Sequence, residues 1–338
     1  MFNKFIINKN NLINNIKQAQ KQNPKSKICA MVKANAYGVG DKEVVQILEE
    51  YVDFWGVACF FEANRIKALT KKNILIVGAL EKENIDESFS YTCSCYEDVK
   101  YLTALNRKIK IHLKINSGMN RYGFKSLKEF KRVLGLIKKS ELCLEGVFTH
   151  FATTDSFVNK QTSIFNKYVS ICKSFGFNPI VHADNSLVNE NSNHGLDMVR
   201  VGLSVYSRSE KCFLPAIEIK TKIVNIVKVK PGELVGYNYR CVANKNMIVG
   251  IVPIGYADGF DMRFIGLTLN VNGVNCKVLN ICMDCFMIDL TQSETKKGDE
   301  IYMINKFNPL TVYADYLETS VYEVSTKFSK MRAERIIV

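Results

Sequence analysis

Eight short stretches of this chain are rich in apolar and strand-forming residues. They are SKICAMVKA (26–34), FWGVACF (54–60), NILIVGAL (73–80), YTCSC (91–95), KIKIHLKIN (108–116), LCLEGVFTH (142–150), PIVHAD (179–184) and MVRVGLSVY (198–206). Their length and β-branched content predict strands. Between several of them apolar positions recur every three or four residues, as in DKEVVQILEEY, FEANRIKALTKK, SLKEFKRVLGLIKKS and KQTSIFNKYVSICKSFG, which predicts helices. Strands alternating with helices imply right-handed βαβ units, and eight of them predict an α/β fold, a closed (β/α)8 barrel of the TIM type. After about residue 213 the period falls to two, in AIEIKTKIVNIVKVKPGELVGYNYRCVANKNMIVGIVPIG and LTLNVNGVNCKVLNICMDCFMIDL, with NVNGVN reading as a hairpin. The expected organisation is a barrel over 1–213 and a C-terminal, mostly antiparallel β domain over 214–338, which the first few residues could join.

Composition narrows the function classes. The formal charge is +13, but the basic residues are spread along all 338 positions, which argues against a nucleic-acid or membrane-surface protein. No stretch approaches the roughly 20 apolar residues of a membrane span, and MFNKFIINKNNLINNIKQAQ offers no signal-peptide core, so a cytoplasmic protein is expected. Eleven cysteines there should be reduced thiols. Cys282 and Cys285 in CMDC have metal or redox spacing, yet no second pair completes a four-ligand site, so no metal is expected.

Chemistry in such a barrel sits at the C-terminal strand ends. Lys33 closes the first run, Lys114 with Arg121 the fifth, His150 the sixth, Asn185 and Ser186 the seventh, and Arg200 lies in the eighth. A lysine at an apolar strand end has its pKa lowered by desolvation and becomes a nucleophile for Schiff-base chemistry. A salt-bridging lysine is the other reading. In MVKANAYGVG (31–40) small residues leave room for a flat ligand, Tyr37 can offer a hydroxyl to a phosphate, and the glycines let backbone N–H groups approach an anion.

MVKANAYGVG resembles the cofactor-lysine motif of the alanine racemase family. In the same order, WGVACFFEANRIK, HLKINSGMNRYGF, LEGVFTHFATTD, HADNS, MVRVGLSVY, PIGYADG, MDCFMIDL, KGDEIYMI and TSVYEVSTKFSKMRAER are similar to its successive landmarks, across essentially the whole chain. The resemblance implies pyridoxal 5′-phosphate on a (β/α)8 barrel followed by a β domain. It implies interconversion of L- and D-alanine for cell-wall peptidoglycan, in a homodimer with shared active sites. Lys33 is then the cofactor lysine. Tyr37, Ser186 and Tyr322, with N–H groups of Gly202 and Leu203, surround the phosphate, as suits a dianion. Arg200 faces the pyridine nitrogen, braced by His182, with His150 near the ring. A guanidinium of pKa above about 12 cannot hand over its proton, which weakens the cofactor as an electron sink and discourages transamination.

Racemisation needs a base and an acid on opposite faces of Cα. By resemblance Lys33 serves one face and Tyr256, in GYADG from the opposite subunit, the other. Arg121 meets the substrate carboxylate, Lys114 matches a lysine carbamylated in many members, the Met283 N–H helps hold the carboxylate, and Asp284 lines the entrance. Several positions depart from the family pattern: Val39, Asn116, Ser117, Asp184, Val201, Ser207 and the pair Leu279–Asn280. They touch specificity and turnover more than reaction class. A racemase of serine or another amino acid is the near alternative, and a non-catalytic cofactor-binding homeostasis protein the distant one. A decarboxylase of basic amino acids is disfavoured because no GGG-type phosphate loop is found.

Overall fold

The computed structural model describes residues 1–153, 155–183, 196–206 and 213–338. They form two compact units, one of Ile13–Ala36 and Asp41–Val205, the other of Met1–Leu12, Tyr37–Gly40 and Tyr206–Val338. No helix among the described residues is long and apolar enough to cross a membrane.

The first strand, β1 (Lys4–Ile7), belongs to the second unit. The next eight are β2 (Lys27–Met31), β3 (Phe54–Val57), β4 (Asn73–Ile76), β5 (Phe89–Cys93), β6 (Lys110–Lys114), β7 (Cys143–Phe148), β8 (Ile180–His182) and β9 (Met198–Val201). They close a parallel barrel in sequence order, with β9 returning to β2. Each lies within or across one of the eight apolar runs. The last run is only half strand: β9 stops before Gly202, and Leu203–Tyr206 turns helical. The amphipathic stretches form helices Asp41–Leu48, Phe60–Ile66, Leu127–Ile137 and Phe157–Ser174, the third capped by Ser126, which accepts from the Glu129 N–H at 3.3 Å.

Two details shape the barrel interior. Period two puts Lys110, His112 and Lys114 on one face of β6, leading towards the strand's C-terminal end. On β7 the register slips, His112 pairing with Gly146 and Ile111 with Leu144, so Glu145 is the extra residue of a bulge.

The second unit has two sheets. One is ordered β16 (Glu300–Ile304), β10 (Ile217–Lys222), β1, β17 (Glu334–Ile337); the other β11 (Asn225–Val229), β12 (Met247–Val252), β15 (Phe286–Asp289), β14 (Val274–Ile281), β13 (Thr268–Val271). Every pairing is antiparallel except that of β1 with β17. The β13–β14 hairpin turns on Asn272 and Gly273, both at positive φ (51° and 91°), the pair that matches the strand twist. Phe260 stacks on Phe286 at 4.5 Å and Phe264 packs edge-on against buried Tyr313, filling this unit's core.

Candidate active site

After β2 the backbone does something its composition gives no hint of. Ala34, Asn35, Ala36 and Tyr37 all have φ between 50° and 57°, one turn of left-handed helix directly after Lys33. An L-residue there costs roughly 1–2 kcal/mol, so the turn stores on the order of 4–8 kcal/mol. Fixed contacts offset it. Glu62 accepts from the Ala34 N–H through one oxygen and from the Ala58 N–H through the other, both at 2.7 Å. The Asn35 side-chain oxygen takes the Asp41 N–H (3.1 Å) and Arg65 (3.3 Å), and Arg65 pairs with buried Asp41 at 2.8 Å. A strained segment so over-determined marks a position whose geometry matters.

Lys33 opens a cluster of like charges in the barrel. Burial, then Arg121 and Arg200, lower its pKa, and the Glu62 carboxylate opposes them. Lys114, buried, is pulled down to about 7 by burial and by Arg121, Arg200 and Lys33. His150 falls to about 3, by burial and the same four cations. Phe148 offers its ring to two of these charges, with Lys114 Nζ 5.4 Å and Arg200 Cζ 5.2 Å from its centroid. Arg200 is held from several sides. Its Nη1 donates to His182 Nδ1 at 2.6 Å, and its Nη2 to the Thr149 and Ala183 carbonyls at 2.9 Å. The barrel thus gathers Lys33, Lys114, Arg121, His150, His182 and Arg200. Asp184, Asn185 and Ser186 lie outside the described residues.

The second unit gathers the others. Tyr37 lies 5.9 Å from Tyr322 and 5.5 Å from Tyr206, ring to ring, and its carbonyl accepts from Ser325 Oγ at 2.6 Å. A side chain at Gly38, φ 94°, would put Cβ 2.3 Å from the Ser325 carbonyl oxygen, so the chain passes there only as glycine. The Tyr256 turn is tied to the Met283 turn: the Tyr256 N–H donates to Cys282 O (3.0 Å) and the Ala257 N–H to Met283 O (2.9 Å). Asp258, fully buried, anchors that turn by accepting from the Gly255 N–H and, bidentately, from Arg332 at 2.8 Å. Tyr256 and Met283 remain 45% and 59% exposed, so both can meet something outside this unit. Asp284 is exposed as well.

Those departures from the family pattern that fall among the described residues are built into the scaffold; Ser207, like Asp184, is outside them. Asn280 donates to the Val235 and Tyr237 carbonyls (2.9 and 3.0 Å), fixing a loop whose Gly236 leaves room only for it. Asn116 caps the Gly118 and Asn120 N–H groups, Ser117 bonds Thr149, and Val39 and Val201 are buried. Cys282 and Cys285 are free thiols, and burial pushes that of Cys285 up to about 11. Reading the sequence missed Glu62, His112 and Glu145.

Residues 7–210 match the family model for the alanine racemase N-terminal domain, and residues 216–337 that for its C-terminal domain. The chain belongs to the alanine racemase family. An alanine racemase of Staphylococcus saprophyticus is 30% identical, over 95% of this chain and 91% of its own length. One of Helicobacter pylori strain J99 is 31% identical, over 92% of each. Among solved structures, the Bacillus anthracis alanine racemase with bound L-Ala-P superposes with a TM-score of 0.93 at 29% identity, covering 100% of this chain and 95% of that one. The Clostridium difficile 630 alanine racemase gives 0.92 at 29%, covering 100% and 96%.

Proposed function

We propose that this chain is a pyridoxal-phosphate-dependent racemase that interconverts L- and D-alanine in the cytoplasm, as a homodimer. The observation that carries the reading is the barrel's gathering of cations: among the described residues, Lys33, Lys114, Arg121 and Arg200 act on one another, with Glu62 the carboxylate that opposes them at Lys33. Such a surplus calls for anionic occupants, which a phosphate, a phenolate and an amino-acid carboxylate supply. The donor set fits the cofactor. Lys33 would hold its carbonyl carbon, Tyr37, Ser186 and Tyr322 with the Gly202 and Leu203 N–H groups its phosphate, and Arg200 its ring nitrogen, with His150 beside the ring. When bound, the cofactor supplies an electron-withdrawing ring that acidifies Cα of the amino acid.

The residues divide the remaining work. Lys33 is half-buried, and its lowered pKa favours the neutral amine that can take a proton from Cα on one face. Tyr256, exposed on its anchored turn and supplied by the second copy, gives and takes the proton on the other. Arg121 pairs with the amino-acid carboxylate, and the Met283 N–H, which has no acceptor among the described residues, shares it. Arg200 keeps its protons, so the ring nitrogen receives none. Lys114, near neutrality and surrounded by cations, is suited to carry a carbamate that would orient Arg121.

Solvent-deuterium exchange followed by NMR tests the reading, using cofactor-loaded protein with L-alanine and, in parallel, L-serine. Label at Cα of both D- and L-alanine is expected. Exchange with serine alone would change the substrate, and none with either would favour a non-catalytic cofactor binder.

A further inference from the structure

A file of polar groups runs through the barrel beneath Arg200, and beyond His182 it takes no part in the roles above. His182 Nε2 lies 2.8 Å from His112 Nδ1, and His112 Nε2 lies 3.0 Å from Glu145 Oε2, which also accepts from Ser90 Oγ. Lys110 Nζ is 3.8 Å from the other Glu145 oxygen. Both histidines are wholly buried.

The two ends of this file dictate every proton within it. A guanidinium only donates, so His182 Nδ1 must accept from Arg200 and carries no proton. The His182 proton therefore sits on Nε2 and points at His112 Nδ1, which must accept in turn. That places the His112 proton on Nε2, facing a carboxylate that only accepts. An imidazolium at either position would set donor against donor. Burial, which lowers the pKa of both rings, favours the same neutral state. The rings are also fixed in place. Phe148 stacks on His182 at 4.7 Å and 7°, and a Cβ on Gly146 would lie 2.1 Å from His112 Nδ1.

We propose that His112 and Glu145 are positioning residues, which lock His182 as its Nε2–H tautomer and thereby hold the Arg200 guanidinium in a single orientation. The bulge in β7 is what brings Glu145 to this file. Without the carboxylate the His112 Nε2–H faces no acceptor. Moving that proton to Nδ1 would force the His182 proton onto its own Nδ1, directly against Arg200.

The test uses cofactor-loaded protein labelled with ¹⁵N-histidine. Long-range ¹H–¹⁵N correlations report the tautomer, and the four histidines are assigned with single His→Gln variants. Nε2–H signatures are expected for His112 and His182. An Nδ1–H or doubly protonated ring at either position in the parent protein overturns the proposal, and needs no variant. Glu145→Leu should set the unpaired His112 Nε2–H against the Arg200 contact and so admit a detectable Nδ1–H population at His112 and His182, shift the visible band of the bound cofactor, and lower kcat roughly tenfold to hundredfold, the usual scale for a group acting through another. Glu145→Gln, which keeps a carbonyl acceptor, should restore the tautomer and most of the rate. If Glu145→Leu lowers kcat while both tautomers stay as they were, the role is only structural and the proposal fails. The kcat arm rests on the racemase reading; the tautomer arm does not, so failure of one is distinguishable from failure of the other.

Discussion

Glu62→Ala removes the clamp on the left-handed turn, and its cost follows from the two bonds it breaks. The carboxylate accepts from Ala34 N–H at an exposed position and from Ala58 N–H at a partly buried one, each at 2.7 Å. Hydrogen bonds to charged groups contribute about 1.5–3 kcal/mol net. Water can resolvate the exposed amide, so its bond belongs at the low end and the Ala58 bond higher, for a total of roughly 3–4 kcal/mol. The stored strain then favours unwinding of residues 34–37, because relaxing them regains part of the roughly 4–8 kcal/mol they hold. The loss should appear in two assays. The urea midpoint should fall at constant slope, and amide exchange at Ala34 to Tyr37 should accelerate well beyond the rest of the barrel. Activity should fall more than stability, since Lys33 opens this turn. Glu62→Gln keeps one acceptor and should lie between. A Glu62→Ala protein within about 0.5 kcal/mol of the parent, the ordinary range of an uninvolved surface substitution, would refute the clamp.

Lys33→Ala should abolish the visible absorbance of the cofactor-loaded protein, and a retained band would remove Lys33 from its role. Tyr256→Phe should leave that absorbance intact while suppressing Cα exchange of L-alanine; undiminished exchange would exclude it as the second base. Lys114 drops from 10.5 to about 7 on folding in CO2-free buffer, so between those pH values the unfolded chain binds a proton that the folded one does not. Stability should therefore gain from this group as pH rises through that window, and Lys114→Met should flatten the gain in urea midpoints. With ¹³C-bicarbonate the parent should show a carbamate resonance that Lys114→Met lacks.

The barrel was legible because its strands are buried on both faces and read as apolar runs, and Lys33, Lys114 and Arg200 stood out as charges within or at the ends of such runs. Other features were hidden for particular reasons. In FEANRIK the carboxylate of Glu62 looks like an ordinary helix-surface charge, since its two partners are backbone amides that no side-chain pattern reveals. KANAY has no glycine in its first five residues, so nothing local predicts positive φ there; the conformation comes from Glu62, Asn35, Asp41 and Arg65 acting on residues with no such preference. Glu145 was concealed by the bulge, because strict alternation from Cys143 puts it on a face without regard to the slip that brings it to His112. MVRVGLSVY misled by its valines: four residues after Gly202 are apolar enough for a strand, yet they form a helical turn.

These hidden residues share a purpose that the obvious ones do not supply. Lys33, Lys114, Arg121 and Arg200 repel one another, and without a ligand nothing in their mutual electrostatics holds them together. What holds them is a set of groups one step removed. Glu62 grips the turn that Lys33 opens. Phe148 lends its ring face to Lys114 and Arg200, while carbonyls and the neutral His182 take the guanidinium protons. Glu145 keeps its negative charge down the barrel, where it sets proton positions through His112. Compensating charge reaches the cluster indirectly: Glu62 acts beside Lys33 while committed to two backbone amides, and Glu145 is spaced from Arg200 by two histidines.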